Sequence, residues 1–228
     1  MPFCESIMAD YPLNIKLTDR LCVVVGGGTV GRRKIAGLLA AGARVRLIDP
    51  QPPTLEVTDH LEIVVRNYQV SDLNKAFLVF AATGNSELDR AISAEARHQG
   101  ALVNLPGEPA AGDFTLPAVL RRGDLTVSIS TAGRSPALAA SLKGQLSEWL
   151  PCHWATVLEI LSSVRDKHLA EPDQNHYNRQ TIDMLLKAGL VESVSAGQTI
   201  AIDHLLKQTL GDGYTLKELA IELPSKPL

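Results

Sequence analysis

Hydrophobic and polar positions follow two different periods along the first half of the chain. Five short strand-like runs, rich in β-branched and other apolar residues, predict β-strands at residues 21–25, 44–48, 61–65, 77–82 and 101–105. Between them, residues 32–41 and 86–98 carry apolar side chains every three to four positions, which predicts amphipathic helices. This alternation predicts a parallel α/β sheet whose carboxyl strand ends share one ligand-binding edge.

The pattern changes after Leu105. The segment PGEPAAGD is rich in proline and glycine, and the apolar runs 114–120 and 125–130 flank the polar turn RRGD, which predicts a β-hairpin. Ser135 as N-cap, Pro136 in the first turn and Pro151 as a stop then predict one long helix.

The last third of the chain predicts mainly helices. An apolar stripe starts at Trp154, the segment EPDQN predicts a break, and further helices are predicted at 181–189 and 199–210. A length of 228 residues fits one or two domains, with one full α/β core.

The turn after the first strand has the spacing of a dinucleotide-binding loop. Gly26, Gly28 and Gly31 match G-x-G-x-x-G, follow a buried strand and open a helix. Asp49 ends the next strand, 18 positions after Gly31, where a carboxylate accepts hydrogen bonds from a ribose. A tight turn alone would leave the glycine run and Asp49 unexplained together.

Asp49 also favours NAD over NADP, because a carboxylate repels a 2′-phosphate. Arg44 and Arg46 keep NADP open, although strand alternation sends both to the side opposite Val45 and Leu47. The predicted cofactor-binding residues are Gly26, Gly28, Thr29, Val30, Gly31, Asp49, Pro50, Ala82 and Thr83.

Net charge and residue composition limit the kinds of partner and the cellular location that we expect for the protein. A net charge of -3 gives no global attraction for nucleic acid or anionic lipid. We expect no membrane span and no secretory signal, hence a cytoplasmic protein. The three cysteines are far apart, so no disulfide framework is expected and Cys22 is expected to fill space in the first strand. The six histidines lack close ligand spacing, so no stable metal site is predicted.

One large class of oxidoreductases is excluded by a missing motif. Short-chain dehydrogenases use Tyr-x-x-x-Lys, but the residues four positions after the four tyrosines are Ile15, Asp72, Thr181 and Glu218. The 78 residues after Leu150 are also few for the substrate domain of a long-chain dehydrogenase.

Three segments together resemble a known family. They are YPLNIKLTDRLCVVVGGGTVGRRKIAGLLAAGARVRLI, LVFAATGNSELDRAIS and LVNLPGEPAAGDFTLPAVLRRGDLTVSISTAGRSPALAASLK. In this order they are similar to the precorrin-2 dehydrogenase and sirohydrochlorin ferrochelatase family, the first module of siroheme synthases. The resemblance covers about residues 11–150, whereas 151–228 match only in helical character and length.

The resemblance implies a two-electron oxidation in which NAD+ takes hydride from precorrin-2 and leaves sirohydrochlorin, followed in some members by insertion of Fe2+. It also implies a homodimer with much of its interface in the middle region. We therefore expect an NAD-binding Rossmann-like domain at 1–112, a hairpin and helix dimerisation region at 113–150, and a small helical domain at 151–228.

The implied substrate carries eight carboxylates, so cations and helix N-terminal donors should gather at the cleft. The expected substrate-binding residues are Asn104, Thr131, Gly133, Arg134 and Ser135, and the further candidate cations are Arg32, Arg33, Arg121, Arg122 and Lys143. Three plainer interpretations stay open. Ser135 can be a simple helix cap, and the run from Arg32 to Lys34 can be a solvated basic face. Ala82, Thr83 and Asn104 can be ordinary anchors of their loops.

The chain departs from the family at one chemical position. Bifunctional members carry an aspartate shortly after the Asn that matches Asn104, and Gly107 stands there in this chain. Glu108 and Asp113 are the nearby candidate catalytic residues. Metal insertion needs a base to remove pyrrole protons, so we expect weak or absent chelatase activity and at most a transient encounter with Fe2+.

Two other functions are compatible with parts of the sequence. An NAD-sensing regulatory module without catalysis would explain the glycine loop, Asp49 and the missing aspartate. This module would not explain the hairpin with TAGRSP or the supply of cations. A redox enzyme that acts on another polycarboxylate is a third possibility.

Overall fold

A computed structural model describes residues 10–56, 58–170 and 178–224. Within them the chain forms seven strands and seven α-helices. The strands are β1 Leu21–Val25, β2 Arg44–Ile48, β3 Leu61–Val64, β4 Leu78–Ala81, β5 Leu102–Asn104, β6 Ala118–Arg122 and β7 Leu125–Ile129. The helices are α1 Thr29–Leu39, α2 Ser86–His98, α3 Pro136–Trp149, α4 Trp154–Ala170, α5 Arg179–Lys187, α6 Leu190–Ser195 and α7 Thr199–Leu210.

The first five strands form one parallel sheet in the order β3-β2-β1-β4-β5. The chain moves outward from β1 to β3 and then returns to place β4 on the other side of β1. This reversal opens a crevice at the carboxyl ends of β1 and β4, where open α/β sheets bind ligands. The turns after Val25 and Ala81 therefore border the same crevice.

Helices cover both faces of this sheet. Cys22 and Val24 of β1 pack with Ile35 of α1 on one face, whereas Val23 and Ile92 of α2 belong to the cluster on the other. Side chains in a strand alternate between faces, so a strand buried on both sides must be apolar throughout, as β1 is. The prediction of a Rossmann-like parallel sheet is confirmed.

Several element boundaries differ from the sequence prediction. Helix α1 begins at Thr29, three residues before the predicted start, because Gly28 is its N-cap and the glycine-rich first turn hides the apolar period. Strand β6 begins at Ala118, because Phe114 and Pro117 lie outside the ladder. Helix α6 was not predicted, and the predicted break EPDQN lies outside the described residues.

The described chain divides into two compact units. The first takes the described residues up to Leu116 together with Ala132–Ser135, and the second takes Pro117–Thr131 and the described residues from Pro136 onward. The second unit contains an antiparallel β6–β7 hairpin, α3 and the C-terminal helices, with a core that includes Val157, Ile160 and Leu206. The three-domain division expected from the sequence stays a prediction.

A buried carboxylate stabilises the segment between β3 and β4. Arg66 donates from Nη1 and Nη2 to Asp72 at 2.8 and 2.6 Å, and the Gln69 amide donates to Asp72 at 2.8 Å. The hydrogen bonds from Arg66 hold the pKa of Asp72 below its ordinary value, against the effect of burial. The charged form of Asp72 therefore stabilises the folded state.

This pair predicts a pH-dependent stability. Because the folded pKa of Asp72 is lowered, its contribution is complete above the unfolded carboxyl pKa, about 4, and is lost as pH falls through the folded pKa. At neutral pH, Asp72→Asn should lower the free energy of unfolding by about 1–3 kcal/mol. Urea titrations of both proteins should show this difference shrinking below about pH 4, whereas a constant difference would contradict the assignment.

Candidate functional site

Two glycines of the turn after β1 are required by the fold itself. Gly26 has φ +100°, and an added Cβ would lie 2.2 Å from the carbonyl oxygen of Ala82. A Cβ on Gly31 would lie 1.9 Å from the carbonyl oxygen of Gly26. Gly26 thus lets the ends of β1 and β4 approach, and Gly31 lets α1 pack against the turn.

Gly28 differs from these two glycines. Its φ is -62°, its position is exposed, and an added Cβ would meet no heavy atom within 4 Å. Neither its backbone angles nor its neighbours in the described chain require glycine. The protein itself thus has room for a side chain at position 28. A glycine at such a position is expected where a pyrophosphate approaches the backbone closely.

Asp49 connects the end of β2 to the glycine turn. Its Oδ2 accepts a hydrogen bond from the Gly27 amide at 2.5 Å, and its Oδ1 accepts one from the Gln51 amide at 2.7 Å. Each carboxylate oxygen has more than one acceptor site, so capacity remains for a ribose hydroxyl. The sequence motif gave no role to Gly27, although this middle glycine of the run was the available signal.

The two arginines of β2 lie away from Asp49. Arg46 donates from Nε to Glu62 at 2.7 Å and from Nη1 to the carbonyl of Asp72 at 3.0 Å. Arg44 is exposed at the opposite end of the strand, and Val45 is buried, so the expected alternation is confirmed. Among the described contacts, neither arginine is placed at Asp49 to attract a 2′-phosphate.

In the turn after β4, the hydroxyl hydrogen of Thr83, a predicted cofactor-binding residue, is already donated to a carboxylate. Thr83 donates from Oγ1 to Asp89 at 2.7 Å, and its amide donates to the same oxygen at 3.0 Å. The Thr83 hydroxyl also accepts from the Asn85 amide at 3.1 Å. Beside it, the Ala82 amide donates to the carbonyl of Val25 at 2.9 Å. Sequence reasoning missed Asp89, which orients Thr83.

The first turn of α1 presents backbone donors without an acidic cap. Gly28 makes no side-chain cap hydrogen bond, and the first turn contains no acidic residue. Its partial positive charge therefore suits an anion. Thr29 and Val30 are exposed in this turn, and Pro50 is exposed after Asp49.

The three cations of the first turns of α1, Arg32, Arg33 and Lys34, differ in solvent exposure. Arg32 and Arg33 are exposed. Lys34 is half-buried, and its pKa is lowered by burial and then by repulsion from Arg33. Both the ligand-binding and the solvated-face interpretations of Arg32 and Arg33 stay open, whereas Lys34 is not fully solvated.

The loop after β5 is held against α2 by two ion pairs. Arg90 contacts both carboxylate oxygens of Glu108, at 3.0 Å from Nε and 2.7 Å from Nη2. Arg97, two helical turns later, donates from Nε to Asp113 at 2.8 Å. The two expected catalytic carboxylates are thus both paired with arginine.

Asp113 has further structural contacts at the edge of the sheet. Its Oδ2 accepts from the Val103 amide at 2.9 Å, and its own amide donates to the Val103 carbonyl at 2.8 Å. Both carboxylate oxygens are therefore used within the fold, one by Arg97 and one by β5. This arrangement favours a structural role for Asp113.

We predict that Asp113→Ala destabilises the protein more than it changes catalysis. Loss of the charge-assisted bond and of the Val103 partner should lower the free energy of unfolding by about 1–3 kcal/mol. Denaturant titration measures this change, and turnover per folded molecule should stay within about twofold, a difference of some 0.4 kcal/mol in barrier. A stable variant with a large loss of turnover would instead make Asp113 catalytic.

Asn104 and Gly107 border this loop in different ways. Asn104 is 4% exposed and donates from Nδ2 to the Phe114 carbonyl at 2.9 Å. Its Oδ1 has no hydrogen-bond partner among the described residues. Gly107 is exposed, lacks a left-handed φ, and an added Cβ would meet no heavy atom within 4 Å. The fold therefore leaves room for a side chain at 107.

The expected substrate residues before α3 fall into both units. Gly133, Arg134 and Ser135 belong to the first unit, and Thr131 belongs to the second. A Cβ on Gly133 would lie 4.0 Å from Pro109, which places this segment beside the loop after β5. Arg134 is exposed, whereas Ser135 is half-buried.

The candidate cation Arg122 makes structural contacts. Arg122 donates from Nε to the Leu150 carbonyl at 2.6 Å and from Nη2 to Ser147 Oγ at 2.8 Å. It therefore stabilises the carboxyl end of α3, where a cation is favourable. Arg121, Arg134 and Lys143 are exposed.

Cys22 is buried, and burial raises the pKa of its thiol to about 11, as suits a space-filling role. In the described part of the chain, no three His, Cys, Asp or Glu residues gather in a way that could hold a metal. No helix there is both long and apolar enough to cross a membrane.

Comparison with known proteins agrees with this geometry. A family model described as NAD(P)-binding matches residues 13–118, and one described as sirohaem biosynthesis protein central matches 122–148. The siroheme synthase of Thioalkalivibrio sulfidiphilus is 28% identical to this chain over an alignment that covers 93% of it. The siroheme synthase of Pseudomonas entomophila is 34% identical over 92% of the chain. The chain is similar in sequence to the siroheme synthases. The resemblance inferred from the sequence motifs is confirmed.

The chain spans about half the length of these relatives, 44% and 46% respectively. Among solved structures, SirC, a precorrin-2 dehydrogenase, superposes with a TM-score of 0.63 at 23% identity. The match covers 88% of this chain and 98% of SirC. This likeness confirms the fold class, including the hairpin and the helical C-terminal part.

Proposed function

We propose that this siroheme synthase relative is an NAD-dependent dehydrogenase that oxidises precorrin-2 to sirohydrochlorin, with weak or absent ferrochelatase activity. The observation that carries the cofactor assignment is Gly28, which stands at the mouth of α1 although the fold does not require glycine there. The family models and the named activities of the relatives support the reaction and the pathway.

The residues of the crevice fit a nicotinamide dinucleotide. The uncapped amides of the first turn of α1 suit the pyrophosphate, and Asp49 suits the adenosine ribose. Ala82 and Thr83 border the crevice from β4, with the Thr83 hydroxyl limited to accepting hydrogen bonds. When bound, NAD+ accepts the hydride, and the protein contributes chiefly by placing the reacting carbon.

We further propose roles for the residues near the substrate. Asn104, which donates to the Phe114 carbonyl, borders the substrate region from β5, and Arg134 with the Thr131, Gly133 and Ser135 region binds the carboxylate arms of the tetrapyrrole. Glu108 is the better candidate than Asp113 for accepting a proton. Arg90 already contacts both carboxylate oxygens of Glu108, which agrees with weak chelatase activity.

The proposal extends to assembly and compartment. Exposed apolar side chains on α3, including Leu142 and Trp149, support a homodimer that uses the hairpin and helix region. The free thiols of Cys22 and Cys152 suit the reducing cytoplasm. Sedimentation of the protein should give twice the monomer mass, and Trp149→Ser should shift it toward monomer.

Incubation of the purified protein with precorrin-2 and NAD+ tests the reaction directly. We expect NADH and sirohydrochlorin absorbance to rise together, and NADP+ to support a much slower reaction. Binding of NAD+ without turnover would favour a regulatory module instead. Turnover only with another polycarboxylate would retain the fold and cofactor but replace the substrate.

A further inference from the structure

The amino edge of the sheet, opposite the glycine turn, carries a separate basic cleft. It has a volume of about 480 Å³ and is lined by residues that precede β1, β2 and β4 or lie in the first half of these strands. In sheet order these strands are neighbours, β2-β1-β4, so their starts lie side by side. A volume of this size is within the range of small-molecule sites.

The side chains that line this cleft have a net positive charge, whereas the whole chain has a net negative charge. Arg20, Arg44, Arg46 and Lys75 line it, with Asp19 as the acidic lining residue. Arg46 is neutralised by Glu62 at 2.7 Å. Three cations therefore remain against one carboxylate, in a protein of net charge -3. A cleft lined by one sign of charge concentrates ions of the opposite sign.

The three remaining cations are available to a ligand. Within the described residues, the Arg44 and Lys75 side chains make no hydrogen bond or ion pair, and both are exposed. Arg20 lies over the Phe77 ring, with its guanidinium carbon 4.2 Å from the ring centroid. This contact orients the guanidinium without neutralising it.

The spacing of the cations selects a ligand with more than one anionic group. They come from the starts of three adjacent strands, and adjacent strands lie about 4.8 Å apart, so the outer pair spans roughly 10 Å. An anion with two or more charged groups contacts all three cations without drawing them together. Guanidinium groups bind phosphate and carboxylate oxygens in a bidentate way.

We propose that this cleft binds a small multivalent anion with two or more phosphate or carboxylate groups. The site is distinct from the dinucleotide crevice, because a five-residue strand places the two sheet edges about 16 Å apart. The binding does not depend on the proposed dehydrogenase activity.

Calorimetric titration of the full chain with tripolyphosphate, citrate and inorganic phosphate tests this site. The measurement is made at about 0.15 M salt, where the Debye length is about 8 Å and diffuse attraction is largely screened. We expect tripolyphosphate or citrate to bind, and inorganic phosphate to bind more weakly. The stronger of the two multivalent probes tells whether phosphate or carboxylate chemistry is preferred.

Paired variants locate the binding. Arg44→Gln with Lys75→Gln should weaken the stronger probe by about tenfold or more, because two charge-assisted contacts are lost. Arg179→Gln with Lys187→Gln removes the same charge from exposed positions of α5 and should change the affinity less than about twofold. Both variants should bind NAD+ like the unmodified protein.

Three results would overturn the site. One is absence of binding by both multivalent probes at millimolar concentration, and another is equal weakening by the two double variants. The third is binding that Gly28→Ala or excess NAD+ removes, since the anion would then occupy the glycine turn. Because NAD+ binding is measured on the same proteins, failure of the cleft is separable from failure of the dinucleotide site.

Discussion

Alanine at position 28 is expected to leave the protein folded and to weaken NAD+ binding by roughly 30- to 100-fold, equivalent to about 2–3 kcal/mol. The added methyl meets no heavy atom of the protein within 4 Å, so the unliganded fold has no reason to change. It does occupy the space through which a pyrophosphate would approach the backbone. Calorimetry with NAD+ and thermal unfolding without it measure the two effects.

Gly37 supplies the matched control in the same helix. It is exposed within α1, and an added Cβ there also meets no heavy atom within 4 Å. Gly37→Ala should raise stability by up to about 1 kcal/mol through helix propensity and leave NAD+ binding unchanged. If Gly28→Ala binds NAD+ as tightly as Gly37→Ala does, the pyrophosphate does not lie at this turn.

Aspartate at position 107 is expected to confer or strongly raise sirohydrochlorin ferrochelatase activity, on the order of 100-fold over the unmodified protein. The position is exposed and open, and its backbone lacks a left-handed φ, so the side chain fits without strain. The new carboxylate would supply the base that removal of pyrrole protons needs. Siroheme absorbance after addition of Fe2+ to sirohydrochlorin follows the reaction.

Gly107→Asn is the control that distinguishes the effect of a basic carboxylate from the effect of side-chain volume. Gly107→Asn fills nearly the same volume without a basic carboxylate, so metal insertion should stay at the level of the unmodified protein. Dehydrogenase turnover should survive in both variants, because hydride transfer depends on placement beside the cofactor. Equal chelation rates for the aspartate and asparagine variants would show that the missing base is not what limits metal insertion.

The sheet was predictable because its signals are local. Strands β1 and β2 have the predicted boundaries. β1 is an apolar run between Arg20 and Gly26, and β2 alternates arginines with buried apolar residues before Asp49. Helix α2 also matches, with Asn85 as its cap and two acidic residues in its first turn. Where local propensity, cap and apolar period agree, the chain adopts the predicted element.

The hairpin boundary was less predictable because tertiary contacts override the pattern. Phe114 has the apolar character of a strand residue, but its ring packs edge-on against Phe80 at 5.6 Å and its carbonyl accepts from Asn104. It is therefore part of the first unit and not of the β6 ladder. Nothing in the spacing of FTLPAVL shows this.

The candidate site also contains features that the sequence predicts and features that only the structure shows. The glycine motif and Asp49 were readable from spacing, because each position has its own steric or hydrogen-bond requirement. The pairing of Glu108 with Arg90, and of Asp113 with Arg97, joins residues that are 18 and 16 positions apart. Their distance in sequence gives no period or motif, so only the fold shows that both carboxylates are already neutralised.

The contacts of Asp113 bear on how copies of this protein can meet. Strand β5 is an outer strand, and outer strands offer unpaired amide and carbonyl groups to any passing chain. At Val103 both groups are already taken, by one aspartate's side chain and amide. Growth of a continuous sheet from one molecule into the next is blocked at this strand, which leaves side-chain surfaces for self-association and lowers the hazard of fibrous aggregates.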